Sequence, residues 1–397
     1  MMLPDIQPFL DRDIILHNPP TITLDISPEQ IAPGTEIFPG CRISGKTTSI
    51  GSNCRIGAEG PATIEDCQLG HGLMFASGFA KQATILDGST IGANAHIRPG
   101  TLLEEQVCLA HCVGLKQTLL LPFVTLGSLI NFCDCLMAGG TSRSNHSEVG
   151  SSFVHFNFTP RQDKATPSLF GDVPSGVLLD QPPIFLGGQC GVVGPVRLAY
   201  GTMLPAGSIC RKDVLEPGTI HTEKASVVTS KTTFDTTRFG NLNRIVRNNL
   251  IYIGNLHALY AWYQHVRQNI MVVDPFSKAC WQGACNRIQQ MIDERIKQLE
   301  KLAQKAAASP SMHPTHTQLQ HLLSDKGSVL ALSHFEREQP PPAPPIDTNA
   351  TMQGLTPSAD YLASIQNMSE QVKEPARAWL QSFVDNILTQ WEQMTNE

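Results

Sequence analysis

The chain has 397 residues, of which 41% are apolar and 16% charged, and its formal net charge is −6. That length and apolar content suffice for two or three folded units and exclude wholesale disorder. The mild acidic balance argues against nucleic-acid or membrane-surface binding, both of which favour a basic patch.

Residues 1–25 form an N-terminal segment that opens MMLPDIQPFLDRDII. It has no basic stretch followed by a long apolar one, so no secretory signal is expected. No run approaches the roughly 18 apolar residues of a spanning helix. The eleven cysteines are scattered, and Cys133 and Cys135 make only a C-x-C. They read as buried small hydrophobes in a reducing cytoplasm, and no metal is expected.

Residues 26–230 carry the strongest signal, an internal six-residue period. Aliphatic residues recur at Ile85, Ile91, Ile97, Leu103, Leu109, Leu115 and Leu121. The rhythm appears upstream at Ile31, Ile37, Ile43, Ile50 and Ile56, and downstream at Val192, Leu198, Leu204 and Cys210. A helix has period 3.6, so a six-residue phase drifts around its surface. A coil of three short strands fits, with one aliphatic side chain inward per strand. Pro99-Gly100 and Pro205-Ala206-Gly207 sit where corners are needed, because proline fixes φ and glycine permits positive φ. Stacked coils then bury a continuous core, giving a mainly β, parallel β-helix. Between about 126 and 183 the repeat degrades into Gly, Ser, Asn, His and Pro, and chemistry is sought where a regular scaffold is interrupted.

From about 236 the period changes. Leu242, Val246, Leu250, Ile253, Leu256, Tyr260 and Tyr263 mark one amphipathic helix, and Ile288, Ile292, Ile296, Leu299 and Leu302 a second. Residues 236–305 are therefore expected to form an α-helical hairpin, with 271–276, including Pro275, as its connection. Residues 306–356 read as a Pro-rich linker with a weak helix. Its tract Pro340 to Pro345 suits a stiff spacer or an SH3-like partner. Residues 357–397 read as one amphipathic helix started by Thr356-Pro357. Its apolar face is Ile365, Met368, Val372, Trp379, Phe383, Ile387 and Trp391. It is expected to dock on the hairpin or on another subunit, and the C-terminal helices offer a surface for a protein partner.

Ile56-Gly57-Ala58 and Ile91-Gly92-Ala93-Asn94 resemble the hexapeptide-repeat transferases, which implies a left-handed β-helix and a homotrimer. The stretch from His96 to about Asp213 is similar to one family among them. That family is the acetyltransferase half of the bifunctional enzyme that acetylates glucosamine-1-phosphate and then forms UDP-N-acetylglucosamine, with its shorter pyrophosphorylase-like relatives. The resemblance implies an acyltransferase that takes acetyl-CoA or another acyl-CoA and acts on a sugar phosphate or sugar nucleotide. It places Arg98, in Arg98-Pro99-Gly100, on the sugar phosphate, followed one coil later by Lys116. It places Asn157 and Lys164 in the sugar pocket, and small residues such as Gly188 and Ala206 against coenzyme A. No counterpart of the family's nucleotidyltransferase half is expected in these 397 residues, because the hexapeptide pattern already begins near residue 31.

The resemblance also marks departures. The family's histidine base lies in a Gly-His-Leu-x-Tyr-x-Gly-Asp motif, which here reads Gly127-Ser128-Leu129-Ile130-Asn131-Phe132-Cys133-Asp134. Ser128 stands for the histidine and Asn131 for the tyrosine. A serine hydroxyl does not replace a base that titrates near neutrality. Strand alternation points His155 to the same face as Asn157, which makes His155 the replacement base or a structural histidine bonded to a neighbouring coil; His146 is the second choice. Arg98, Lys116 and Lys164 form a phosphate clamp or a charged surface, with Arg161 and Asp163 in the same loop. The expectation is an acyltransferase, with a catalytically silent sugar-nucleotide-binding or assembly scaffold as the alternative.

Overall fold

The computed structural model describes residues 6–154, 165–222, 242–307, 341–345 and 360–396. The β part is a parallel solenoid of about ten coils, which fits the left-handed β-helix expected from the resemblance. One ten-stranded sheet, from Ile15–Leu16 to Met203–Leu204, makes face 1. A sixteen-stranded sheet makes faces 2 and 3, because the eight-residue strands Val113–Leu120 and Ile130–Met137 turn the corner and serve both. Ala95–Ile97, Phe153–Val154 and Ile209–Cys210 belong to face 2. Ala83–Ile85, Thr101–Leu103 and Ser168–Phe170 belong to face 3.

The six-residue phase is the core. Ile31, Ile37, Ile43, Ile50 and Ile56 are fully buried, as are Ile85, Ile91, Ile97, Leu103 and Leu115. The expected seventh match needs correction. Leu103 pairs with Leu120, not Leu121, so this coil has seventeen residues. The cause is local: Gln117 alone, at φ +49°, turns the corner for which the previous coil uses both Pro99 and Gly100. Within the degraded stretch an antiparallel hairpin, Gly140–Ser142 with Asn145–His146, leaves the solenoid. A short helix, Val173–Gly176, follows, capped by the Asp172 side chain.

Face 3 is covered by helices. Helix α1, Leu242–Trp262, continues through a π turn at Tyr263–Arg267 into Gln268–Met271. Helix α2 is Pro275–Ala307. The second helix therefore begins at Pro275, which was expected in the connection. Asp274 Oδ1 accepts from the Phe276 and Ser277 amides, and proline suits a first helical turn. Outward-facing Leu102, Leu119, Leu136 and Leu169 on face 3 are buried under this layer. Each such burial contributes roughly 1.5–3 kcal/mol. The approach of α2 is close: a Cβ on Gly283 would lie 2.3 Å from Gln68 Oε1.

Helix α2 also reads the corners. Arg287 Nη1 donates to the Gln82 carbonyl at 2.7 Å, and Arg295 Nη2 donates to Gln117 Oε1 and Asp134 Oδ1, both at 2.7 Å. Eight helical residues rise about 12 Å, which spans the two to three coils of about 4.8 Å between those partners.

The C-terminal helix is broken rather than continuous: α3 is Tyr361–Gln366 and α4 is Glu370–Asn396. Asp360 caps α3 by accepting from the Leu362 amide, and Thr356-Pro357 lies outside the described residues. Ile365, Trp379, Phe383 and Trp391 are buried, and α4 packs on α1, so the expected docking on the hairpin is the observed one. No helix among the described residues is long and apolar enough to cross a membrane.

Candidate functional site

Face 2 of two successive coils carries Arg98 and Lys116, whereas Gly188 and Ala206 belong to later coils. Ile97 pairs with Leu115 and Leu115 with Phe132, and all three point into the core. Alternation then turns His96 and Arg98, Gly114 and Lys116, and Asn131 and Cys133 outward. The Arg98 amide donates to the Leu115 carbonyl at 2.9 Å, and Lys116 pairs with Cys133. Arg98, Lys116 and Cys133 therefore form one column along the edge between faces 2 and 3. Arg98 Nη2 donates to Cys133 Sγ at 3.4 Å, and the Cys133 thiol donates to Asn131 Oδ1 at 3.3 Å. Burial pushes the Cys133 thiol up, and the Arg98 and Lys116 charges oppose that shift.

The electrostatics of this column change along the solenoid. In lower coils Lys81 is paired with Glu65 at 2.7 Å. Arg98 has no carboxylate partner among the described residues, and the Lys116 ammonium has no ion-pair or hydrogen-bond partner among them. Their strands lie about 4.8 Å apart, and two like charges carried on neighbouring strands repel, a repulsion that an anion bound beside them would relieve. Gly114 stands between His96 and Asn131, and a Cβ there would approach nothing closer than 3.7 Å. The face therefore has a shallow recess beside the cations. Phe79 lies edge-on to His96 at 5.2 Å on its far side.

The opposite edge of face 2, toward face 1, carries Ser128. Its hydroxyl lies 2.8 Å from Nδ1 of His111 on the preceding coil. Farther along the same edge come Gly188 and Ala206, two and three coils beyond Ser128. A Cβ on Gly187 would lie 2.4 Å from the Ala206 amide nitrogen, whereas a Cβ on Gly188 would meet nothing within 4 Å. Close stacking thus requires Gly187, and Gly188 leaves open space above the corner.

The structure therefore brings Arg98 and Lys116 together and places Gly188 and Ala206 on the other edge of the same face. His155, Asn157 and Lys164, with Arg161 and Asp163, lie outside the described residues. Val154, immediately before them, pairs with Phe132 on face 2. His146 sits elsewhere, in the hairpin between faces 3 and 1, with Nδ1 2.9 Å from the Arg143 carbonyl. His111, Asn131 and Cys133 are site-lining residues that sequence reasoning left without a role. The signal available for His111 was its spacing of seventeen residues from Ser128, one short coil. Eight of the eleven cysteines are buried, and burial pushes Cys54 and Cys67 up to about 12, as expected for core thiols. Among the described residues no group of three or more His, Cys, Asp or Glu is arranged to hold a metal.

No protein-family model matches the chain. It is 27% identical over 210 residues to the bifunctional protein GlmU of Thermotoga maritima, covering 53% of this chain and 42% of that protein. It is 27% identical over 214 residues to bifunctional GlmU of Pelobacter propionicus (52% and 41%). It is 28% identical over 187 residues to that of a Geobacillus strain (47% and 36%). The matching part thus spans less than half the length of these relatives. The likeness and the solenoid together fit a hexapeptide-repeat acetyltransferase resembling the acetyltransferase half of GlmU.

Proposed function

We propose that this chain is an acyl-CoA-dependent acyltransferase, homotrimeric and cytoplasmic, acting on a sugar phosphate or sugar nucleotide. The observation that carries this reading is the Arg98–Lys116 pair, two cations without a carboxylate partner among the described residues, on the face that also bears Gly188 and Ala206. Arginine binds phosphate oxygens through a planar fork and lysine acts as a point charge. Arg98 and Lys116, completed by Lys164, hold the phosphate. Asn157 orients the sugar. Gly188 and Ala206 leave room for the pantetheine arm, whose thioester supplies the acyl group. His155 accepts the proton of the attacking amine or hydroxyl.

Ser128 favours a second reading. It stands where the related acetyltransferases carry their base, and Asn131 replaces their tyrosine. A chain with those changes that keeps the cations would bind sugar nucleotides without turning them over, as a sensor or assembly scaffold. Thermal unfolding of the full chain separates the two. Saturation at about a hundred times Kd adds roughly 2.7 kcal/mol. A midpoint raised by acetyl-CoA, followed by mass-spectrometric detection of an acetylated sugar phosphate, supports the transferase. A midpoint raised by UDP-N-acetylglucosamine alone supports the scaffold. No rise with either overturns both.

A further inference from the structure

Pro341–Pro345 lies against the chain's own helices in a specific manner. Pro341 and Pro344 are buried, while Pro342, Ala343 and Pro345 are exposed. A three-residue spacing is one turn of a polyproline II helix, so one face of the tract is inserted and the others face out. Two ring nitrogens meet consecutive carbonyls of the tract: His265 Nε2 lies 2.8 Å from the Pro341 carbonyl, and Trp379 Nε1 donates to the Pro342 carbonyl at 3.1 Å. The floor is aromatic. His265 stands edge-on to Trp379, and Trp379 edge-on to Phe383, each pair at 5.9 Å.

The groove is built rather than incidental. His265 belongs to the π turn Tyr263–Arg267, a turn type frequent at functional sites. That turn is held from behind, because the Tyr263 carbonyl accepts from Trp281 Nε1 at 2.9 Å and the His265 carbonyl accepts from Asn269 Nδ2 at 3.0 Å. Aromatic walls with ring N–H groups aimed at proline carbonyls are the chemistry by which proline-rich segments are recognised.

We propose that His265, Trp379 and Phe383 form a receptor for proline-rich segments with P-x-x-P spacing, which the chain's own tract occupies in cis. Tethering makes that docking intramolecular and favours the cis segment over a free peptide. A proline-rich segment of another protein enters when the tract leaves. This inference is independent of the acyltransferase reading.

The test uses the full chain carrying Pro341→Ser and Pro344→Ser, and a fluorescein-labelled peptide QPPPAPP, the sequence of residues 339–345. Fluorescence anisotropy should show saturable binding to the double variant. Binding should be at least tenfold weaker to the wild-type chain and to the double variant with Trp379→Phe added. Equal binding with and without Trp379, or none to a double variant with an unchanged unfolding midpoint, overturns the proposal. A second arm needs no change in the tract. Trp379→Phe alone keeps the aromatic packing, removes the Nε1 donor and should speed cleavage at the tract by a proline-specific endopeptidase. Cleavage at the wild-type rate counts against the groove.

Discussion

Ser128 Oγ and His111 Nδ1 meet at 2.8 Å across adjacent coils, so the hydroxyl that replaces the related enzymes' histidine is itself held by an imidazole. This pair offers His111 as a rival to His155 for proton transfer. If His155 is the base, His155→Ala lowers kcat by about 10²–10⁴-fold, and His111→Ala changes it by no more than a few-fold. Steady-state release of coenzyme A thiol measures both. The reverse order would move proton transfer to the Ser128 edge.

In the proposed reaction Arg98 and Lys116 would act on binding rather than on the chemical step. Arg98→Met and Lys116→Met each remove one charge-assisted contact, worth about 1.5–3 kcal/mol. The expected outcome is a rise of about tenfold or more in the KM or Kd of a phosphate-bearing acceptor, with kcat little changed. Added salt should weaken binding less in either variant than in the wild-type chain, since screening acts on the charges removed. An unchanged Kd in calorimetry would return the pair to solvated surface charge.

Much of the solenoid was legible because each strand turns one aliphatic residue inward, and a six-residue step admits few other architectures. The slip at Leu120 was not. A left-handed corner made by Gln117 alone looks in sequence like any polar residue, although backbone sterics make it uncommon for a side-chain-bearing residue. The covered face 3 was hidden for another reason. Leu102, Leu119 and Leu136 point away from the solenoid core, and only the helices that begin at Leu242, more than about a hundred residues downstream, explain why they are apolar. The Arg98–Lys116 column followed from spacing and resemblance, whereas the Ser128–His111 pair required the exact coil length.

The same long-range logic governs a buried charge cluster. Arg267 is fully buried and donates to Glu104 Oε2 at 2.8 Å and to both oxygens of Glu105, and the Tyr263 hydroxyl donates to Glu104 Oε1 at 2.7 Å. Burial pushes the Glu104 carboxyl up to about 7, against the pull of Arg267 and with the help of Glu105. A carboxyl whose pKa is raised on folding stabilises the fold fully below its unfolded value near ~4.3, and that contribution is lost as pH rises through 7. The unfolding midpoint should therefore fall between pH 5 and pH 7.5, and Glu104→Gln should flatten that fall. Arg267→Met leaves two buried carboxylates without their cation and should cost about 3–5 kcal/mol at pH 8, less at pH 5. A pH-independent loss would place Arg267 in packing alone.

Gly187 and Gly188 separate stacking from ligand space on neighbouring residues. A Cβ at Gly187 would sit 2.4 Å from the Ala206 nitrogen, a backbone atom that cannot swing aside, whereas a Cβ at Gly188 enters open space. Gly187→Ala should therefore lower the unfolding midpoint by forcing two coils apart, an overpacking cost of about 1–3 kcal/mol. Gly188→Leu should leave the midpoint of the free protein unchanged. If the arm of an acyl-CoA runs over this corner, the leucine side chain fills its path, and the midpoint rise produced by acetyl-CoA should disappear from Gly188→Leu while any rise from a sugar nucleotide persists. A Gly188→Leu chain that still responds fully to acetyl-CoA would take the acyl donor away from this edge of face 2.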